Sequence, residues 1–194
     1  MRLKIVQAGE AVLRSRAREL TREELRDAEI RQLIEWMRET MRDAPGVGLA
    51  APQVGLALQL AVIEDPEEGQ RAIAPERLAE RGRRPVPFHV IVNPSIELTG
   101  EPVEFFEGCL SLAGLTALVP RAVAARVRCW NHEGDPITIE ADGWYARILQ
   151  HEIDHLNGTM YVDRMHSRSL MTVEHLTKHW NHLPISEVKQ RLGI

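Results

Sequence analysis

Two periodicities divide this chain. Leu25, Ile30, Leu33, Ile34, Met37 and Met41 recur mostly at three- and four-residue intervals, the spacing of one helix face. Thr21-Arg22-Glu23-Glu24 has the S/T-x-x-E capping pattern and predicts that this helix opens there. Pro45-Gly46 predicts its end. After a short apolar run at 4–6, the strand signals begin further on: residues 57–64, 88–93, 95–98 and 103–106 read as strands. Residues 122–130 and 136–140 read as a hairpin turned by Asn131-His132-Glu133-Gly134-Asp135. The Pro- and Gly-rich stretch 65–87 reads as a loop with room for a short helix at 76–81.

A second helix is predicted from Asp142, a candidate N-cap, to Gly158, a natural residue for the turn that ends it. The last thirty residues hold one or two more helices, with Ser186 a candidate cap. Strands interspersed with few helices, without regular β-α alternation, predict the α+β class. A length of 194 residues suits a single domain spanning 1–194.

A net charge of -4 argues against strong electrostatic binding to nucleic acid or to an anionic membrane. The run Arg81-Gly82-Arg83-Arg84 reads as a solvated loop. No stretch approaches the ~20 apolar residues of a membrane span, and the N-terminus lacks the pattern of a secretory signal. A bacterial cytoplasm is the expected location, or an organelle if a transit peptide has been removed. Cys109 and Cys129 are too few for a disulfide framework and show no C-x-x-C spacing. Cysteine in a reducing compartment is free to bind metal as thiolate.

Three segments carry chemistry. The second predicted helix contains Gln150-His151-Glu152-Ile153-Asp154-His155. Residues four apart share a helical face, so His151 and His155 can reach one metal ion. Glu152 is rotated from His151 by about 100°, poorly placed as a ligand but able to reach a water on the ion's open side. Gly46-Val47-Gly48-Leu49-Ala50-Ala51-Pro52-Gln53-Val54-Gly55 is a small-residue run around one amide side chain. Glycines 46 and 48 allow close backbone approach, and the missing Lys-Ser/Thr excludes a phosphate loop. Glu107-Gly108-Cys109-Leu110-Ser111 follows Phe105 and Phe106. A lone cysteine is ordinarily a small buried hydrophobe; beside a metal helix, Cys109 is a candidate third ligand.

Together, in this order, the three segments resemble the peptide deformylases, metalloenzymes that remove the N-formyl group from new polypeptides. The family's motifs G-φ-G-φ-A-A-P-Q, E-G-C-L-S and Q-H-E-x-D-H are all matched without substitution. Trp144 and Ala113-Gly114-Leu115 look closer to the mitochondrial and plant-organelle branch. The resemblance implies antiparallel sheets packed around a central metal-binding helix. It makes Cys109, His151 and His155 the metal ligands, with Fe(II) the typical ion and nickel, cobalt or zinc able to replace it. Glu152 becomes general base and acid, and Gln53 and the Leu110 N–H become donors to the developing oxyanion. N-formylmethionyl nascent peptides are the implied partners, with transient ribosome contact. Gly46, Val47, Gly48, Phe105, Trp144 and Ile148 are candidates for the substrate cleft. Glu107, Arg121 and Asp154 are candidates to brace the ligand-bearing segments.

One departure is visible. Many bacterial members carry an arginine between E-G-C-L-S and V-P-R that contacts the substrate backbone; Leu115-Thr116-Ala117 stands there instead. A metallopeptidase of another class is the rival reading, since His151-Glu152-x-x-His155-x-x-Gly158 follows the metzincin pattern until Tyr161 replaces its last histidine. His175 and His179, also four apart, lack a following acidic residue and read as a polar helix face.

Overall fold

Leu60-Ala61-Val62-Ile63 is apolar on both strand faces, and β2 (Leu60–Asp65) sits between two buried layers. The computed structural model describes residues 1–194. Leu60 and Val62 pack against helix α1 (Ala28–Asp43) with Leu33, Ile34, Met37 and Met41. Ala61 and Ile63 join the opposite cluster, which holds Ile148, Leu149 and Ile153 of the interior helix (Gly143–Leu156, α4 below). The sheet is continuous and antiparallel. It runs β1 (Gly48–Ala50), β2, β3 (Val86–Cys109), β4 (Leu112–Trp130), β5 (Pro136–Asp142), with a two-residue β6 (Met171–Thr172) on β4.

β3 replaces the three separate strands expected at 88–93, 95–98 and 103–106. Its ladder with β4 shifts register between Val92 and Ser95, Thr99 and Pro102, and Gly108 and Cys109. Such irregularities break the period-two pattern and accommodate residues that otherwise end strands. Asn93 takes a left-handed φ of 49°, stabilised by its side chain, which bonds the N–H and the C=O of Leu20 at 2.9 and 2.8 Å. β4 likewise begins at Leu112, ten residues before the expected strand at 122–130.

Helix α1 starts at Ala28, later than the capping pattern implied. The box itself forms: Glu24 N–H donates to Thr21 Oγ1 (3.2 Å) and Thr21 N–H to Glu24 Oε2 (2.8 Å). It closes only a 3-10 turn, Glu24–Arg26, before Asp27 turns extended with ψ 137°. The 65–87 segment forms two short helices, α2 (Glu67–Gln70) and α3 (Pro75–Glu80). The interior helix is α4 (Gly143–Leu156). Asp142 occupies its N-cap position, but its side chain pairs with Arg84 and makes no cap bond. Beyond β6, α5 (Val173–His175) continues as a π-turn at Leu176–Trp180, and α6 (Ile185–Leu192) follows, with Pro184 and not Ser186 at its N-cap position and no side-chain cap bond. Glu104 ties α6 to the sheet, accepting from Lys189 at 2.6 Å, and lies 2.7 Å from His166.

His89 on β3 is expected to make the stability of this fold depend on pH. Its Nδ1 lies 2.9 Å from the Pro87 carbonyl and its Nε2 2.9 Å from the Tyr145 hydroxyl. Burial pushes its pKa below the ordinary histidine value, partly opposed by the Pro87 hydrogen bond. The unfolded chain therefore protonates here at higher pH than the folded chain, and stability falls as pH drops below about 6.5. His89→Gln is expected to flatten that decline between about pH 7 and 5 in urea unfolding. Parallel curves for both proteins would show that His89 is not its source.

Candidate metal centre and cleft

α4 and the β3–β4 hairpin bring three ligand side chains together. Cys109 stands at the hairpin tip, where the Gly108/Cys109 register shift turns the chain into Leu110-Ser111. Its sulfur and one ring nitrogen each of His151 and His155 lie within 4.8 Å of one another. Cys109 Sγ is 3.2 Å from His155 Nε2, near the separation of about 3.5 Å that tetrahedral Zn–S and Zn–N bonds require. His151 Nδ1 lies 3.0 Å from Glu107 Oε2. A nitrogen facing a carboxylate carries the proton, so His151 keeps the Nε2 lone pair for an ion. A thiolate and two imidazoles are a donor set for a divalent transition metal.

The other two segments approach the open side of this cluster. A Cβ on Gly48 would lie 2.2 Å from Glu152 Oε1 and 2.5 Å from its Cδ, so only glycine leaves space for that carboxylate. Glu152 lines the cleft while its Oε2 is buried without a partner. Burial pushes its carboxyl up to about 7. Gln53 sits on a 3-10 turn (Ala51–Val54) that ends at Gly55, whose φ is +85°. Its Oε1 accepts from the Ala50 N–H at 2.8 Å, which aims Nε2 at Cys109 Sγ, 3.5 Å away. The Leu110 N–H meets no protein acceptor.

Beneath the cluster lies a buried charge network. Glu107 Oε1 and Oε2 accept from Arg121 Nε and Nη2 at 3.0 Å each, and Oε1 accepts from Arg147 Nη1 at 2.6 Å. Arg121 also pairs with Asp154, which Arg164 holds bidentately at 2.6 Å. Burial alone would raise the Glu107 carboxyl, but His151 and Arg121 hold it far below the usual carboxylate range. Glu107, Arg121 and Asp154 thus meet as one unit linking β3, β4 and α4. Arg147 belongs to it too, and sequence reasoning missed it: one arginine on an apolar helix carries no local signal. Gln7 was missed for the same reason. It donates from Nε2 to the Leu110 carbonyl (3.0 Å) and accepts from the Ala113 N–H (3.2 Å), while Val6 N–H bonds the Gln53 carbonyl at 2.9 Å. The apolar run at 4–6 thereby laces the Gln53 turn to the hairpin tip.

A cleft of about 370 Å³ opens over the cluster. Gly46, Val47, Gly48, Trp144 and Ile148 line it. Phe105 does not: it packs edge-on against Trp144, ring centroids 6.1 Å apart, and its neighbour Phe106 lines the cleft. The arginine run differs from a solvated loop. Arg84 is exposed, but Arg83 lines the cleft and the Arg81 guanidinium lies over Trp144 at 4.9 Å. Tyr161, where a metzincin has its third histidine, is buried and stacked on His151. His175 and His179 find no third ligand. Cys129 is a core residue whose thiol burial pushes up to about 11.

Known proteins share this arrangement of chain. The family model for polypeptide deformylase matches residues 2–170. A chloroplastic peptide deformylase 1A of Solanum lycopersicum is 42% identical over 191 residues, covering 98% of this chain and 67% of that one. Peptide deformylase 3 of Streptomyces avermitilis is 47% identical over 181 residues, covering 92% and 78%. The class I type b peptide deformylase of Acinetobacter baumannii, solved with Met-Ala-Ser bound, superposes with a TM-score of 0.75 at 32% identity, covering 85% of this chain and 99% of that one. No helix is long and apolar enough to cross a membrane. Sequence likeness to organelle and bacterial relatives, and the shared backbone, place the chain in the polypeptide deformylase family.

Proposed function

We propose that residues 1–194 form one catalytic domain that hydrolyses the N-formyl group from the formylmethionine of nascent polypeptides, releasing formate, with one divalent ion. The observation that carries this reading is convergence: Cys109, His151, Glu152, Gln53 and Leu110 line one cleft, and the fully buried His155 imidazole lies 3.2 Å from the Cys109 sulfur. Cys109, His151 and His155 would hold the ion, with Fe(II) proposed and nickel, cobalt or zinc compatible with the same donors. When bound, such an ion supplies Lewis acidity and brings the pKa of water toward neutrality.

The chain's own residues do the rest. Glu152 takes the proton of the attacking water and returns it to the departing amine. Gln53 Nε2 and the Leu110 N–H donate to the oxygen that gains charge when the formyl carbon becomes tetrahedral. Val47, Phe106, Trp144 and Ile148 wall an apolar pocket for the methionine side chain. The Met-Ala-Ser bound to the Acinetobacter relative supports a peptide occupant of this kind. The organelle and bacterial names of the relatives support action in a bacterial cytoplasm or an organelle; transient ribosome contact belongs to the proposal through its substrate, the nascent chain.

Anaerobically purified, iron-loaded protein should release formate from formyl-Met-Ala-Ser and leave internal peptide bonds intact. Cleavage of internal bonds without formate release would replace this reading with a protease. Gln53→Ala is expected to lower kcat by roughly 10²–10³, the cost of one oxyanion donor, with the ion retained. Metal analysis beside turnover checks both parts, and wild-type turnover would remove Gln53 from the mechanism.

A further inference from the structure

We infer that Arg83 is a substrate-binding residue that donates from Nη1 to a main-chain carbonyl of the bound peptide beyond its first residue. The inference rests on the deformylase reading of the cleft and goes beyond it by naming what grips the rest of the chain. Arg83 belongs to the segment between α3 and β3, and Asp65 at the end of β2 fixes it. Arg83 Nε donates to Asp65 Oδ2 and Nη2 to Oδ1, both at 2.8 Å. The Asp65 side chain is 1% exposed and that of Arg83 12%. One edge of the guanidinium is therefore anchored, and its plane is set before any ligand arrives.

Nη1 has no protein partner, and it is not among the sealed, unpaired atoms of the interior. Two arginines line the cleft, Arg83 and Arg147. Arg147 is engaged, with Nη1 on Glu107 and the Val119 carbonyl and Nη2 on the Val103 carbonyl. The segment that follows the hairpin tip contributes Gly114 and Leu115 to the lining and no cation. Arg83 lies over Trp144, its Cζ 5.4 Å from the ring centroid. Trp144 walls the proposed methionine pocket, so Arg83 stands at that pocket's edge, where the second or third residue would pass. Asp65 already neutralises the guanidinium, which favours a neutral carbonyl over an acidic side chain as the acceptor.

The test compares formyl-Met-Ala-Ser with formyl-methioninamide, which lacks the later carbonyls. Arg83→Lys keeps a charge for Asp65, but a single ammonium cannot hold that carboxylate and reach the peptide as a planar fork does. The double variant Asp65→Asn/Arg83→Met removes both charges of the buried pair together. In each, the ratio of kcat/KM for the long substrate to that for the short one is expected to fall about tenfold, carried by KM. A purely structural Arg83 would lower both substrates equally, and an unchanged ratio overturns the proposal. Calorimetric Kd values for Met-Ala-Ser and methioninamide read the same ratio without turnover. A wild-type chain that prefers Met-Ala-Ser through Arg83 yet releases no formate refutes deformylation and supports the binding role. A wild-type chain indifferent to peptide length overturns the role of Arg83.

Discussion

Glu152→Ala is expected to lower kcat on formyl-Met-Ala-Ser by about 10²–10⁴-fold, with one metal ion still bound per chain. The separation of the two effects follows from helix geometry. His151 and His155 share a face of α4, and Glu152 is turned away by about 100° toward the water side. Its carboxylate makes no hydrogen bond with protein and fills the space that Gly48 leaves by having no side chain. Nothing else on that wall can move the proton: Gln53 donates only through an amide, and Glu107 is committed to Arg121, Arg147 and His151. Glu152→Gln keeps the volume and removes the base, so it should fail as badly as alanine. Turnover within tenfold of wild type in either variant would assign the proton transfer elsewhere.

Glu107→Ala is expected to weaken the fold and the metal site together. The change takes two hydrogen bonds from Arg121 and one from Arg147, in a region where the Glu107 and Arg121 side chains are 5% and 2% exposed. Removing one partner from a buried ion pair costs about 3–5 kcal/mol, which for a chain of this length lowers Tm by roughly 6–20 °C. His151 simultaneously loses the acceptor that sets its tautomer. Loss of such a partner commonly reduces metal affinity about 10–100-fold. Thermal unfolding and chelator competition measure the two effects. A Tm within about 2 °C of wild type, a shift of about one kcal/mol or less, together with undiminished metal retention, would show that the network is incidental.

What could be read from the chain alone was the chemistry carried by local spacing. His151, Glu152 and His155 announce themselves because helical periodicity fixes their mutual placement before any tertiary contact forms. Cys109 is legible as a ligand only beside that helix, and the role of Gln53 only through the resemblance, since neither residue type is diagnostic by itself. The partners that depend on long-range packing stayed hidden. Arg147 reaches Glu107 across 40 residues, Gln7 reaches Leu110 across 103, and Arg83 reaches Asp65 across 18. Phe105 illustrates a finer limit. It is expected in the cleft wall, but the structure gives that place to Phe106: the two pair in regular register with Val119 and Leu118, and successive strand residues point to opposite faces, so only one of them meets the cleft. In the fold, β3 was broken into three by Pro94, Gly100 and Pro102, residues that end most strands but here sit at irregularities of the ladder.

The central claim is that one sulfur and two imidazole nitrogens bind the same ion. X-ray absorption on zinc-loaded protein tests it most directly. The account predicts one sulfur at about 2.3 Å and two nitrogens at about 2.0–2.1 Å, with the sulfur lost in Cys109→Ser. A first shell containing only nitrogen and oxygen in the wild-type protein would contradict it.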